Sequence, residues 1–279
     1  EVGQPGTGAP KGAAAALAKA MGEGALGYTV ALGLPALRAR IAQMYGEWYN
    51  VDLDPARVVI TPGSSGGFLL AFTALFDSGD RVGIGAPGYP SYRQILRALG
   101  MQPVDDKKAV TALEVTDDCY VINSFSKYFS MTGWRVGWMV VPEDQVRVVE
   151  RIAQNMFICA PHASQIAALA AMDCDDELQA NLAVYRRNRD LMITGLQEAG
   201  FTDIAPPDGA FYVYADVSRF TDDSRAFAAE ILEKAGVAVT PGLDFDPARG
   251  HKTLRFSYAR STADMEEGIA RLKAFMAAR

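Results

Sequence analysis

The chain has 279 residues, 49% of them hydrophobic, with a formal net charge of −6, two histidines and three cysteines. This suits one large domain or two modest ones with a sizeable core, and the charge argues against a nucleic-acid binder, which carries a basic footprint. His162 and His251 alone supply metal sites and His-based triads poorly, so no metal ligand is assigned; Cys119, Cys159 and Cys174 form no CxxC pair and point to a reducing, cytoplasmic compartment.

In chain order, "GAAAALAKAM" is an alanine-rich helix, "RVVIT" (57–61) a strand, and "GGFLLAFTALF" the helix behind it. That last run is the longest apolar stretch and is too short to cross a bilayer. "RVGIGAP" (81–87) is a strand and "SYRQILRAL" a helix; "CYVINSF" (119–125) and "VGWMVV" (136–141) are strands, followed by the helix "EDQVRVVERIAQNM". Helical periodicity then runs from Ser164 to about Gly200, long enough to link two domains. After "APPDG" the style changes: "FYVYADV", a helix from about Asp223 to Ala235, "VAVT", "TLRFSYA" and a final helix read as a smaller α+β unit. Alternating strands and helices before it are the α/β signature. No signal-peptide pattern is visible, and because the chain opens on Glu1 its natural start is expected upstream.

Four stretches carry candidate chemistry. "TPGSSGG" (61–67) joins a strand end to a helix start, where free N–H groups and the hydroxyls of Ser64 and Ser65 could cradle a phosphate; Ser64 could equally be a plain N-cap. "GIGAPG" (83–88) matches a dinucleotide fingerprint, but its first glycines fall inside the strand and Pro87 and Pro90 spoil the turn. The overlapping stretch "APGYPSY" presents Tyr89 at a strand's carboxyl edge, either to stack on a flat cofactor or to fill core volume. In "NSFSKYFSMTGWRVGW" (123–138), Lys127 comes directly after a strand, with Ser124, Ser126 and Arg135 nearby. A lone lysine is ordinarily a solvated side chain, yet a desolvated one is a nucleophile toward carbonyls, and the guanidinium and hydroxyls could hold a phosphate beside it. In "TLRFSYA", Arg255 shares a strand face with Ser257, and a buried arginine there needs an anion, structural or a substrate carboxylate.

Together these residues resemble the class I/II aminotransferases, pyridoxal-phosphate enzymes of fold type I, and most closely the aspartate-aminotransferase-like branch. "SFSKYFSMTGWRVG" fits the lysine-attachment signature, and "VGQPGTGAP", "GYTVALGLPALR", "TPGSSGG", "APGYPSY", "PDGAFYVYADV" and "TPGLDFDPARGHKTLRFSYA" stand in family order over nearly the whole chain. The resemblance implies a large pyridoxal-phosphate-binding domain over residues 16–182 with a mostly parallel central sheet, and a small domain from residues 1–15 and 183–279. It implies that Lys127 forms the Schiff base and moves the substrate proton. Gly63, Ser64, Ser65, Ser124, Ser126 and Arg135 would hold the phosphate, and Tyr89 would stack on the pyridine. Tyr28 would reach the cofactor phosphate of the neighbouring subunit, which implies a homodimer. Arg255 would pair with the substrate carboxylate, Gly3 would offer it backbone contact, and Phe211 and Tyr212 would line the pocket. The implied reaction moves an amino group between an L-amino acid and a 2-oxo acid, without nucleic acid or membrane. The same scaffold hosts C–S lyases, decarboxylases and synthases, and loss of catalysis would leave a cofactor-binding scaffold.

Two family motifs are missing: the Asn-Pro-x-x-Gly turn that meets the pyridine hydroxyl, and the Asp-x-x-Tyr strand end whose aspartate holds the pyridine nitrogen protonated. Both belong between "GMQPV" and "KAVTALE", where this sequence has only Asp105, Asp106 and Lys107, and the whole of "DDKKAVTALEVTDD" (105–118) is short for a parallel crossover. A strand with its crossover is on the order of 30 residues or more. The expectation is therefore a join near residues 105–108 between parts of a longer chain.

Overall fold

The computed structural model describes residues 3–24, 26–106 and 116–279, so the join expected near 105–108 runs into the stretch 107–115, outside the described residues. Two compact units account for the chain: Gly8–Gly85 with Ser91–Leu178, and Glu1–Thr7 with Ala86–Pro90 and Gln179–Arg279.

The larger unit begins with helices α1 (Lys11–Glu23) and α2 (Pro35–Tyr49), then alternates β1 (Val58–Thr61), α3 (Gly63–Leu75), β2 (Arg81–Gly85), α4 (Pro90–Ala98) and β3 (Gln102–Asp106). After residue 116 come β4 (Val121–Ser124), β5 (Gly137–Val140), α5 (Val146–Phe157) and α6 (His162–Ala171). β5 lies between β1 and β4 and is antiparallel to both, so those two point the same way; β2 and β3 form a separate parallel pair. "VVIT" and "GWMV" show no polar alternation because β1 and β5 are buried along their whole length. Around them pack Leu37, Ile41, Phe125 and Phe129. Thr61 and Ser124 are both register partners of Gly137, so the carboxyl ends of β1 and β4 flank one residue. That register positions the site.

The continuous helix expected over 164–200 is two helices, α6 and α7 (Asp175–Glu198). The break arises at Asp175, Asp176 and Glu177, an acidic first turn that favours a new helix start. In the smaller unit, β6 (Ile204–Ala205), β7 (Tyr212–Asp216), β8 (Thr240–Pro241) and β9 (Thr253–Ser257) form an antiparallel sheet in the order β6-β7-β9-β8. "VAVT" reaches the ladder only at Thr240. α8 (Ser224–Ala235) is capped by the Asp223 carboxylate, and α9 (Thr262–Ala277) by the Ser261 hydroxyl. Phe201, Val213, Phe227, Leu254, Phe256 and Leu272 make this unit's own core. Among the described residues no helix is long and apolar enough to cross a membrane, and no group of histidine, cysteine or carboxylate side chains could hold a metal ion.

Candidate active site

In the larger unit the site begins where β1 ends. Thr61 Oγ1 donates to the Gly63 carbonyl at 2.8 Å, and Gly63 takes a φ of +70° that turns the chain into α3. A side chain is disfavoured there. Pro62 stands at the N-cap, and no side chain caps the helix, so its first N–H groups point outward as donors. Ser64 is therefore not the N-cap; it lies with Ser65 in the first turn, both half-buried.

Arg135 is brought to this turn by the strand register. A Cβ on Gly63 would overlap Arg135 Nη2 and stand 3.0 Å from its Cζ. The guanidinium thus occupies the space a side chain would fill. Arg135 is exposed, with a left-handed φ of +50°, and its Nη1 donates to the Thr132 carbonyl at 2.7 Å. Gly137, two residues on, is equally close: a Cβ there would lie 2.7 Å from the Asn123 carbonyl and 3.0 Å from Ser64 N. Only glycine lets β5 start against both β4 and the α3 turn.

At the end of β4, Ser124 Oγ donates to Ser126 Oγ at 2.7 Å and accepts from Ser126 N at 3.0 Å. The chain then turns: Ser130 N donates to Lys127 O at 3.0 Å, and Met131 N to Phe125 O at 3.1 Å. Phe125 and Phe129 point inward, 4.7 Å apart, with Phe125 also 5.0 Å from Trp138. Lys127 lies between them and is exposed. The aromatics noted in the sequence anchor the turn and turn their faces to the core, leaving the lysine at the surface. Uncapped helix donors, one guanidinium and four serine hydroxyls within this span match the donor set a phosphate requires, and the amine comes one residue after Ser126. The described residues therefore fit a phosphorylated carbonyl cofactor.

Tyr28 also belongs to this unit, with its side chain 80% exposed. On one side the Gly27 carbonyl accepts from His162 Nδ1 at 2.9 Å, and on the other Thr29 Oγ1 accepts from Gln165 Nε2 at 3.2 Å.

The smaller unit holds the second set. Arg255, half-buried on β9, is the register partner of Tyr214 on β7 and Thr240 on β8. Its Nη2 donates to Thr240 Oγ1 at 3.3 Å, and its Cζ lies 4.2 Å from the Tyr212 ring centroid and 4.6 Å from that of Phe245. Ser257 is half-buried like Arg255, as strand alternation requires. Burial pushes the Tyr212 phenol up, Arg255 works against that, and Tyr89 adds to it. Tyr89 is exposed in the turn 86–90, where Gly88 N donates to the Phe245 carbonyl at 2.9 Å. Gly3 is half-buried in the N-terminal segment, tied to this unit where Gly6 N donates to the Ala259 carbonyl at 2.6 Å. Phe211, expected at the substrate, is only 4% exposed. Alternation places it with Val213 and Ala215 in the core, while Tyr212, also expected at the pocket, lies against Arg255. Thr240 and Phe245 were not singled out from the sequence; the only signal was their place in "TPGLDFDPARG".

The family description "Aminotransferase class I and II" matches residues 1–108 and 102–272. A valine–pyruvate aminotransferase of Mycobacterium tuberculosis is 40% identical, with 98% of this chain and 89% of the relative covered. Among solved structures, one from Silicibacter pomeroyi is 65% identical with a TM-score of 0.94 (100% and 91% covered). An aminotransferase from Mycobacterium tuberculosis is 38% identical with a TM-score of 0.96, over the same shares. The alignment to the valine–pyruvate aminotransferase runs over 347 positions, more than the 279 residues of this chain. The relative therefore carries residues that this sequence lacks, and the two stretches of the family match meet at 102–108.

Proposed function

Because this chain belongs to the class I and II aminotransferases, pyridoxal-phosphate enzymes of fold type I that move an amino group between an amino acid and a 2-oxo acid, we propose residue roles on that premise. Gly63, Ser64, Ser65, Ser124, Ser126 and Arg135 bind the cofactor phosphate. The observation that carries this is the uncapped α3 start with the Arg135 guanidinium in the space above Gly63. Lys127 is the amine that attaches to the cofactor aldehyde and, once released, moves the proton of the substrate α-carbon. When bound, the cofactor supplies an electron sink for the pair left on that carbon. Arg255 binds the substrate carboxylate, its plane set by the Tyr212 and Phe245 faces. Tyr89 stacks on the pyridine; Gly3 and Tyr212 contact substrate, with Phe211 supporting Tyr212 from the core.

The reading includes a homodimer in the cytoplasm, in which the exposed Tyr28 reaches the cofactor phosphate of the neighbouring site. It also includes residues inserted near 105–108 in the natural chain, among them the partners of the pyridine ring. Support for the insertion comes from the two-part family match and the longer alignment.

The test is a panel of amino donors against pyruvate and 2-oxoglutarate with the full-length enzyme, valine with pyruvate first because that pair names a 40% identical relative. Transfer activity that falls at least about a hundredfold in Lys127→Ala, with loss of borohydride-trapped cofactor, is expected. Carbon dioxide, sulfide or no product from every donor would place the chain among the other reactions of this scaffold or among non-catalytic proteins.

A further inference from the structure

The first turn of α6 reaches both segments that carry phosphate ligands in this reading. Ser164, buried, donates from Oγ to the Trp134 carbonyl at 2.6 Å. That carbonyl belongs to the peptide leading into Arg135, whose left-handed φ of +50° is uphill for a side-chain-bearing residue. A peptide held at that point keeps the strained backbone in place, and Arg135 Nη1 is tied separately to Thr132 O. The side chain is therefore anchored at its root and at its tip.

The same turn holds Tyr28. His162 Nδ1 donates to Gly27 O at 2.9 Å, and Gln165 Nε2 donates to Thr29 Oγ1 at 3.2 Å, so the residues on either side of Tyr28 are pinned while its ring stays in solvent. Gln165 is fully buried; its Nε2 also donates to Ala160 O at 2.8 Å and its Oε1 accepts from Leu34 N at 2.7 Å. With both ends of the amide engaged, its orientation is set. A tyrosine that waits exposed for a ligand gains from a fixed backbone, because less freedom is lost when it binds.

We propose that Ser164, His162 and Gln165 are positioning residues for the cofactor phosphate, Ser164 acting through Arg135 and the other two through Tyr28. The proposal rests on the reading that Arg135 and Tyr28 hold that phosphate. Its consequence is that one helical turn sets phosphate affinity without touching the phosphate.

The experiment compares affinities of the full-length enzyme for pyridoxal phosphate and for pyridoxal, which lacks the phosphate. Ser164→Ala and His162→Ala are each expected to weaken pyridoxal phosphate roughly tenfold or somewhat less, as loss of one hydrogen bond allows, and to leave pyridoxal within about twofold. A purely structural role would weaken both ligands alike. Arg135→Ala is the control. If it abolishes the preference for the phosphorylated ligand while both α6 variants leave that preference intact, the positioning role is overturned and the phosphate reading stands. If Arg135→Ala leaves the preference unchanged, the phosphate reading falls and the proposal with it. His162→Ala removes a bond at the surface and carries the test should Ser164→Ala fail to fold.

Discussion

Gly63→Ala separates the local fold from the site more cleanly than any change of a charged residue. The backbone term comes from the φ of +70°, which costs a side-chain-bearing residue about 1–2 kcal/mol. For a cooperative unit of this size that is a drop in Tm of about 2–8 °C. The new Cβ would also overlap Arg135 Nη2 and press on Cζ, so the guanidinium must shift from its place at the α3 start. A charge-assisted hydrogen bond lost there corresponds to about a 10- to 150-fold weaker hold on a phosphate. Titration of the full-length variant with pyridoxal phosphate, with pyridoxal as reference, and a thermal melt measure the two effects independently. A lower Tm with pyridoxal phosphate affinity within about twofold of the parent would show that Arg135 does not hold the phosphate.

Arg255→Lys keeps the charge but loses the planar fork and its stacking on Tyr212 and Phe245. The amino-acid KM is expected to rise at least about tenfold with cofactor affinity unchanged, read by steady-state kinetics beside a cofactor titration. Asp246 gives a pH test. Burial works to raise its carboxyl, but the Arg249 backbone and side chain and the Ala248 backbone donate to it at 2.8–3.0 Å and hold it below the usual range. A lowered folded value stabilises fully above the ordinary pKa of about 3.9 and is lost as pH falls through the lower folded value. Melts from pH 7 to 3 should show that acid loss in the parent. Asp246→Asn should begin about 1 kcal/mol less stable and show a smaller loss; an unchanged acid slope in the variant would refute the assignment.

Much of the site was legible because its chemistry is written in contiguous residues. "TPGSSGG" states a strand end, a positive-φ glycine and a helix start within seven positions, and "SFSKYFSMTGWRVG" places the amine, hydroxyls and guanidinium on one turn and its return strand. Proline, glycine and strand alternation act within a few bonds, so short windows reveal them. The order of such motifs was enough for the family and the cofactor.

Partners distant along the chain were another matter. Alternation could say that Arg255 and Ser257 share a face, but β8–β9 pairing brought Thr240 to the guanidinium, and the loop after β8 brought Phe245. Phe211 turned to the core and Tyr212 to Arg255 because the strand's phase is set by what it packs on. The sequence left open whether Lys127 is solvated, and the inward turn of Phe125 and Phe129 leaves it exposed in this chain. The link from Ser164 to Trp134 spans thirty residues and left no mark on either local pattern. By itself the sequence determined the family and which groups are candidates for its chemistry, since residue identity and short-range backbone preference are local properties. Tertiary structure alone decided what surrounds each group, because burial and hydrogen-bond partners depend on register between segments that meet only when the chain folds.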